Sequence, residues 1–186
     1  MHKLTSRQTV LILGPCVLAC LALSAGCASP ATGKAMTASE LRLPKHNPST
    51  VFVHVAGGQE TEAVINMPKI SSDAFREALV ATIEGSRLFA RVLPQAPADY
   101  RLEISIVEAK QKGALTTDTT MTARWKLIRS SDGKGVFNEF IESSGESNFT
   151  IGPARIRHSL ESAGRENIKL GLTKLSELDL QGQVTK

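Results

Sequence analysis

Twice between residues 100 and 128 the chain alternates apolar with polar side chains. First Tyr100, Leu102, Ile104 and Ile106 stand against Arg101, Glu103 and Ser105; then Met121, Ala123, Trp125 and Leu127 stand against Thr120, Thr122, Arg124 and Lys126. Period two is the periodicity of a strand, because successive side chains point to opposite faces of a sheet. One apolar and one wet face per strand is the pattern of an antiparallel sheet covered on one side only. Ser131-Asp132-Gly133 is a tight-turn signal, and residues 136–141 return as the second arm of a hairpin whose inward side the pattern leaves open. Residues 110–118 join the two alternating strands.

The remaining elements are read from the same rules. Residues 51–56 place Val51, Val53 and Val55 on one face and Phe52, His54 and Ala56 on the other, so the spacing predicts an internal strand, stopped by Gly57-Gly58. Residues 61–66 read as a second short strand. Ser72-Asp73 opens a helix, with serine or aspartate as the cap and Asp73 at the positive end of the dipole. Its apolar stripe is Phe75, Ala78, Leu79, Thr82 and Ile83, and Gly85 reads as its exit. Residues 86–92 then carry Leu88, Phe89 and Val92 beneath that helix, before Pro94 and Pro97 stop regular structure. Gly152-Pro153 starts a last helix, with Ile156, Leu160, Ala163, Ile168, Leu172, Leu175 and Leu178 on its apolar side. Gly164 and Gly171 weaken it or let it approach a neighbour closely. The order β-(β)-α-β-β-β-α predicts an α+β fold: an antiparallel sheet of about four to five strands with two helices on one face and the other face exposed.

Residues 10–27, VLILGPCVLACLALSAGC, do not belong to that core. Lys3 and Arg7 precede the run and Ala28-Ser29-Pro30 follow it, the anatomy of a secretory signal. A membrane-spanning helix needs about 20 apolar residues; this run is shorter and is broken by Gly14-Pro15. Its end, Leu23-Ser24-Ala25-Gly26-Cys27, resembles the lipobox of bacterial lipoproteins, although Ser24 stands where an aliphatic residue is preferred and Val17-Leu18-Ala19-Cys20 fits a looser version. The resemblance implies removal of residues 1–26 and attachment of acyl chains (palmitate among them) to Cys27. Two or more chains hold a protein stably on a membrane. In that family an aspartate after the cysteine signals inner-membrane retention. Ala28 in its place implies the inner leaflet of the outer membrane, with the domain facing the periplasm. Residues 27–50, with prolines at 30, 44 and 48, then read as the lipidated cysteine and a flexible tether of about 25 Å reach, part of 41–43 being able to join the domain. Residues 51–186 read as one periplasmic domain, long enough to bury a core.

The inventory for chemistry is thin. Cys16 and Cys20 leave with the signal and Cys27 is taken by lipid, so disulfide, thiol nucleophile and cysteine metal ligand are all excluded from the domain. The net charge of +4 includes Lys3 and Arg7, which is too little for a nucleic-acid surface. His46, His54 and His158 have no metal-pair spacing, and His54 reads as a core or edge histidine. No nucleophile elbow, phosphate loop or dinucleotide fingerprint occurs. The expectation is therefore no enzyme, no catalytic residue, no metal and no cofactor. Arg155, Arg157 and His158 are placed against the dipole in the first turns of the last helix, either as an anion-binding site for a phosphate or lipid headgroup or simply as solvated side chains. Arg124 and Lys126 either join that patch or pair with Glu139 and Glu142 across the hairpin. Trp125 reads as a core residue under a helix.

Residues 72–89, followed by Ala98-Asp99-Tyr100 and a strand, within this element order, resemble small periplasmic auxiliary lipoproteins: the lipopolysaccharide-assembly accessory lipoprotein and the auxiliary lipoproteins of ABC-type lipid transporters. The resemblance implies a non-catalytic accessory or scaffold that binds a protein partner in an envelope assembly or transport complex through its exposed sheet face or edge. Binding of a lipid or lipopolysaccharide headgroup is the alternative.

Overall fold

The computed structural model describes residues 29–58, 69–111, 118–147 and 152–180. Its elements are α1 (Gly33–Met36), β1 (Asn47–Ala56), α2 (Ser72–Ser86), β2 (Phe89–Leu93), β3 (Tyr100–Gln111), β4 (Thr119–Arg129), β5 (Gly135–Gly145) and α3 (Gly152–Glu177). The two alternating stretches form β3 and β4, paired antiparallel with Leu102 opposite Leu127 and Ile104 opposite Trp125. β5 returns antiparallel beside β4, and the sheet order is β2-β1-β3-β4-β5. The fold class is α+β, as the alternation predicts. The expected short strand at 61–66 lies outside the described residues, as do 112–117 of the expected β3–β4 connection.

Residues 51–56 are internal in the strand order, as expected, although among the described residues only the Val51, Val53 and Val55 face is covered: β1 lies between β2 and β3 and runs parallel to both. The β1–β2 parallel pair follows from the path of the chain. β1 leads through α2 into β2, and a strand that returns by a helical crossover lies parallel to the first. Residues 86–92, expected to pack beneath the helix, also supply most of an edge strand, with Val92 opposite Val51.

The helix boundaries shift slightly from their sequence signals. Ser71, not Ser72 or Asp73, caps α2, its Oγ accepting from the Ala74 N–H at 3.1 Å, while Ser72 Oγ accepts from the Gly58 N–H at 2.9 Å. Gly85 does not end α2. The helix runs to Ser86 and is closed by Arg87 in the left-handed conformation (φ 55°), whose N–H reaches the Glu84 carbonyl. The predicted stripe is otherwise intact: Phe75, Ala78, Leu79, Thr82 and Ile83 are all buried. α3 packs on β4 and β5, α2 on β1 and β2, and the two share one core with Val51, Val53, Leu102 and Trp125. Gly171 is the close approach that the sequence allowed, since a Cβ there would overlap the six-membered ring of Trp125.

The largest departure from the sequence reading concerns the tether. Residues 29–50 do not hang free: 29–46 form a strap along the outside of the helix pair, and 47–50 begin β1. Ala31 N–H bonds the Lys69 carbonyl, Ala38 N–H bonds Thr82 Oγ1 and Arg165 bonds the Ala35 carbonyl. Met36, fully buried, faces Gly164 and Ile70, and Ala31, Ala38 and Leu43 are also buried. Lys169 holds Glu40 at 2.9 Å, which lowers the carboxyl's pKa, while charge-assisted hydrogen bonds to Glu166 first and Glu40 second raise that of the ammonium. A short helix and scattered apolar residues suffice here because α2 and α3 already supply the groove. The layers are therefore sheet, helix pair and strap.

Candidate functional site

With α2 and α3 on one side, the other face of the sheet is uncovered among the described residues. Alternation fixes what it carries. Arg124 lies opposite Phe140 and Lys126 opposite Asn138 and Glu103. Arg124 Nε donates to Asn138 Oδ1 at 2.9 Å, and its guanidinium carbon sits 5.8 Å from the centroid of the Phe140 ring. Phe140 is 65% exposed despite that contact. Lys126 Nζ is 3.7 Å from Glu103 Oε2, and Arg101 Nε is 2.9 Å from Glu103 Oε1. The pairing of Arg124 and Lys126 with Glu139 and Glu142 is thereby corrected. Glu139 lies opposite Trp125 and so faces the helices, where its carboxylate accepts from Lys174 Nζ at 2.6 Å. His54 is exposed on the open face, opposite Glu103, rather than in the core.

A stacked arginine–phenylalanine pair on a wet sheet is suited to docking. The ring offers apolar area worth about 1.5–3 kcal/mol when fully buried, and the cation–π contact, worth about 0.5–1 kcal/mol at an exposed site, holds the pair in place. The patch borders β5, a long outer strand whose edge is unpaired among the described residues and can add a further strand. Val107, at the irregularity between Ile106 and Glu108, adds a second exposed apolar side chain (57%). At the opposite edge, β2 borders a cleft of about 730 Å³ formed with His46, Glu84, Arg87 and Arg91. There His46 Nδ1 lies 2.7 Å from the Arg87 carbonyl.

The basic turns of α3 are arranged differently from a vacant anion site. Arg157 Nε lies 3.9 Å and His158 Nδ1 3.5 Å from the carboxylate of Glu161, whose side chain is only 5% exposed. The same carboxylate accepts from Thr32 N–H at 3.0 Å and Thr32 Oγ1 at 3.2 Å. Two of the three candidate residues are thus brought together on an internal anion that also pins the strap. Arg155 Nε and Arg157 Nε are both buried without a hydrogen-bond partner among the described residues, so the Arg157–Glu161 contact is an ion pair only. Glu161 and Thr32 carry no sequence signal for this role, being one of several acids on a helix and a threonine in a proline-bearing stretch. Cys27 lies outside the described residues.

Trp125 is a core residue, fully buried, with its indole N–H bonded to Asn167 Oδ1 at 2.9 Å. Asn167 Nδ2 in turn donates to the Ile141 carbonyl at 2.8 Å, tying α3 to β5. Among the described residues no three His, Cys, Asp or Glu side chains converge as a metal site, and no helix is long and apolar enough to cross a membrane.

No protein-family model matches the chain, and no curated protein does. Solved structures do. The DUF330 protein XCC0632 from Xanthomonas campestris superposes with a TM-score of 0.55 at 17% identity, over 73% of this chain and 90% of that one. The PelC dodecamer from Paraburkholderia phytofirmans gives 0.49 at 19% identity, over 73% and 92%. Lipoprotein GNA1162 from Neisseria meningitidis gives 0.39 at 16%, over 58% and 90%. What the chain shares with XCC0632, along nearly all of that protein's length, is the fold.

Proposed function

We propose that the chain is a lipid-anchored accessory protein of the bacterial envelope, attached through Cys27 to the inner leaflet of the outer membrane and acting in the periplasm without catalysis. In this reading it scaffolds or regulates a larger envelope assembly by docking a protein on the open sheet face and the β5 edge. The observation that carries it is the one-sided layering, which leaves Phe140, 65% exposed and stacked under Arg124, at the edge of a sheet with no covering element among the described residues. The signal at residues 1–27 supports the address.

The test is in-cell photocrosslinking from position 138. A discrete protein adduct that disappears in Phe140→Ser, while the variant keeps its melting temperature, is the expected result. Phe140 is exposed, so the substitution leaves the core intact. An adduct pattern unchanged by Phe140→Ser, or no adduct at all, overturns the docking surface.

A further inference from the structure

The strap restricts where the lipid attachment point can be. The first described residue is Ser29, and the chain is already fixed at Ala31, bonded to Lys69, and at Thr32, bonded to Glu161. A trans chain covers at most about 3.6 Å per residue, so the four residues of chain preceding Ala31 can span no more than about 14 Å. The strap then runs beside α3 in the same direction: Thr32 at Glu161, Ala35 at Arg165, Glu40 at Lys169, Lys45 at the Glu177 carbonyl. The attachment point therefore belongs to one end of the helix pair, on the side away from the sheet. Thr119, bonded through Oγ1 to Ser159 Oγ at 2.7 Å, marks the same end on β4. From Thr119 the strand leads away by about 33 Å, at 3.3 Å per residue, to Arg129 and the Ser131-Asp132-Gly133 turn.

We infer that the bilayer holds this protein on a short leash and in one orientation. The α1 end of the strap lies against the lipid surface, while the open sheet face and the β4–β5 turn point away from it. The inference rests on the reading of Cys27 as the lipidated residue and deepens it. A flexible tether would let any face meet the membrane; a strap fixed at Ala31 and Thr32 does not. The partner of the strap end is the phospholipid surface that holds the protein's own acyl chains. The patch at Arg124 and Phe140, on the other side of the sheet, is left available to a protein approaching from the aqueous side.

The experiment uses the full-length lipidated protein, reconstituted on vesicles of phosphatidylethanolamine and phosphatidylglycerol doped with a headgroup-linked quencher. The processed chain has no other free thiol, so Lys34→Cys, Lys126→Cys and Ser131→Cys each take one fluorophore. Quenching several-fold stronger at 34 than at 126 or 131 is the expected result. A Gly-Ser insert of about 20 residues between Ala28 and Ser29, with a coil reach of about 25 Å, should level the three. Equal quenching at all three positions without the insert, or a gradient that the insert leaves unchanged, overturns the leash. Failure of the anchor itself reads out separately. Cys27→Ser protein that still floats with the vesicles, or native protein that does not, removes the lipidation reading and the inference with it.

Discussion

At residue scale, Asp99 shows how one side chain joins two strands. Its carboxylate accepts from the Thr50 N–H and from Thr50 Oγ1, each at 2.7 Å, and its own N–H donates to Thr50 Oγ1 at 3.0 Å. The Thr50 N–H, with the hydroxyl second, holds the Asp99 carboxyl below the usual aspartate range. A depressed folded-state pKa contributes stability above the unfolded value and loses it as pH falls through the folded one. Thr50→Val keeps the backbone bond and removes the hydroxyl. Its Asp99 carboxyl is expected to titrate higher than in the native protein, and its urea midpoint to be lower near neutrality. The two midpoints should draw closer at a pH below the aspartate range. Carboxyl NMR titration and urea unfolding at both pH values check this. Unequal residues were legible in unequal measure. Trp125 reads as core because its neighbours on the same strand face are apolar. Asn167, which satisfies its indole N–H, looks like any polar helix residue until the ring is placed above it.

At the scale of elements, the strands and helices with strong periodicity were legible in type and buried face, though not to their last residue, and those defined by a partner were not. β3, β4 and the apolar stripe of α2 follow from spacing alone, because each presents one face to a core. β2 is five residues long and has burial on no regular period, so its role as a parallel edge depends on β1 and α2 being in place. The strap is the same case carried further. It has prolines and small residues where a linker would have them, and only the groove between α2 and α3 turns them into structure. Glu161 is the residue on which this element depends. Glu161→Ala removes the acceptor of both Thr32 bonds and leaves Arg157 and His158 beside a lost carboxylate. Faster hydrogen exchange over residues 31–38 is expected, with β3 and β4 unchanged. The stability loss should be about 1–3 kcal/mol, the usual cost of stranding buried polar groups. Glu161→Gln keeps an oxygen for Thr32 and should restore most of the protection. Exchange mass spectrometry separates the two, and equal loss in both would mean that the charge, rather than the acceptor, holds the strap.

At the scale of the whole molecule, the fold class was legible, but the number of layers was not. The alternation at residues 100–128 requires a sheet covered on one side, and two amphipathic helices supply the cover. Nothing in it requires a third layer on the helices. That layer decides where the folded unit begins. A start at residue 51 treats 29–50 as dispensable, yet Met36 and Leu43 bury side chains worth about 1.5–3 kcal/mol each. Their loss is comparable with a large part of the 5–15 kcal/mol by which domains are ordinarily stable. Residues 47–50 of β1 also go, and with them the Asn47 N–H bond to the Leu88 carbonyl and the Thr50 bonds to Asp99. A protein comprising residues 29–186 is therefore expected to unfold in one cooperative transition. One comprising residues 51–186 should melt far lower or bind a hydrophobic dye while keeping its far-ultraviolet circular dichroism. Equal melting temperatures would show that the strap adds no stability. A segment so weakly held would also leave the domain free to turn on its anchor, so this truncation and the vesicle measurement must agree.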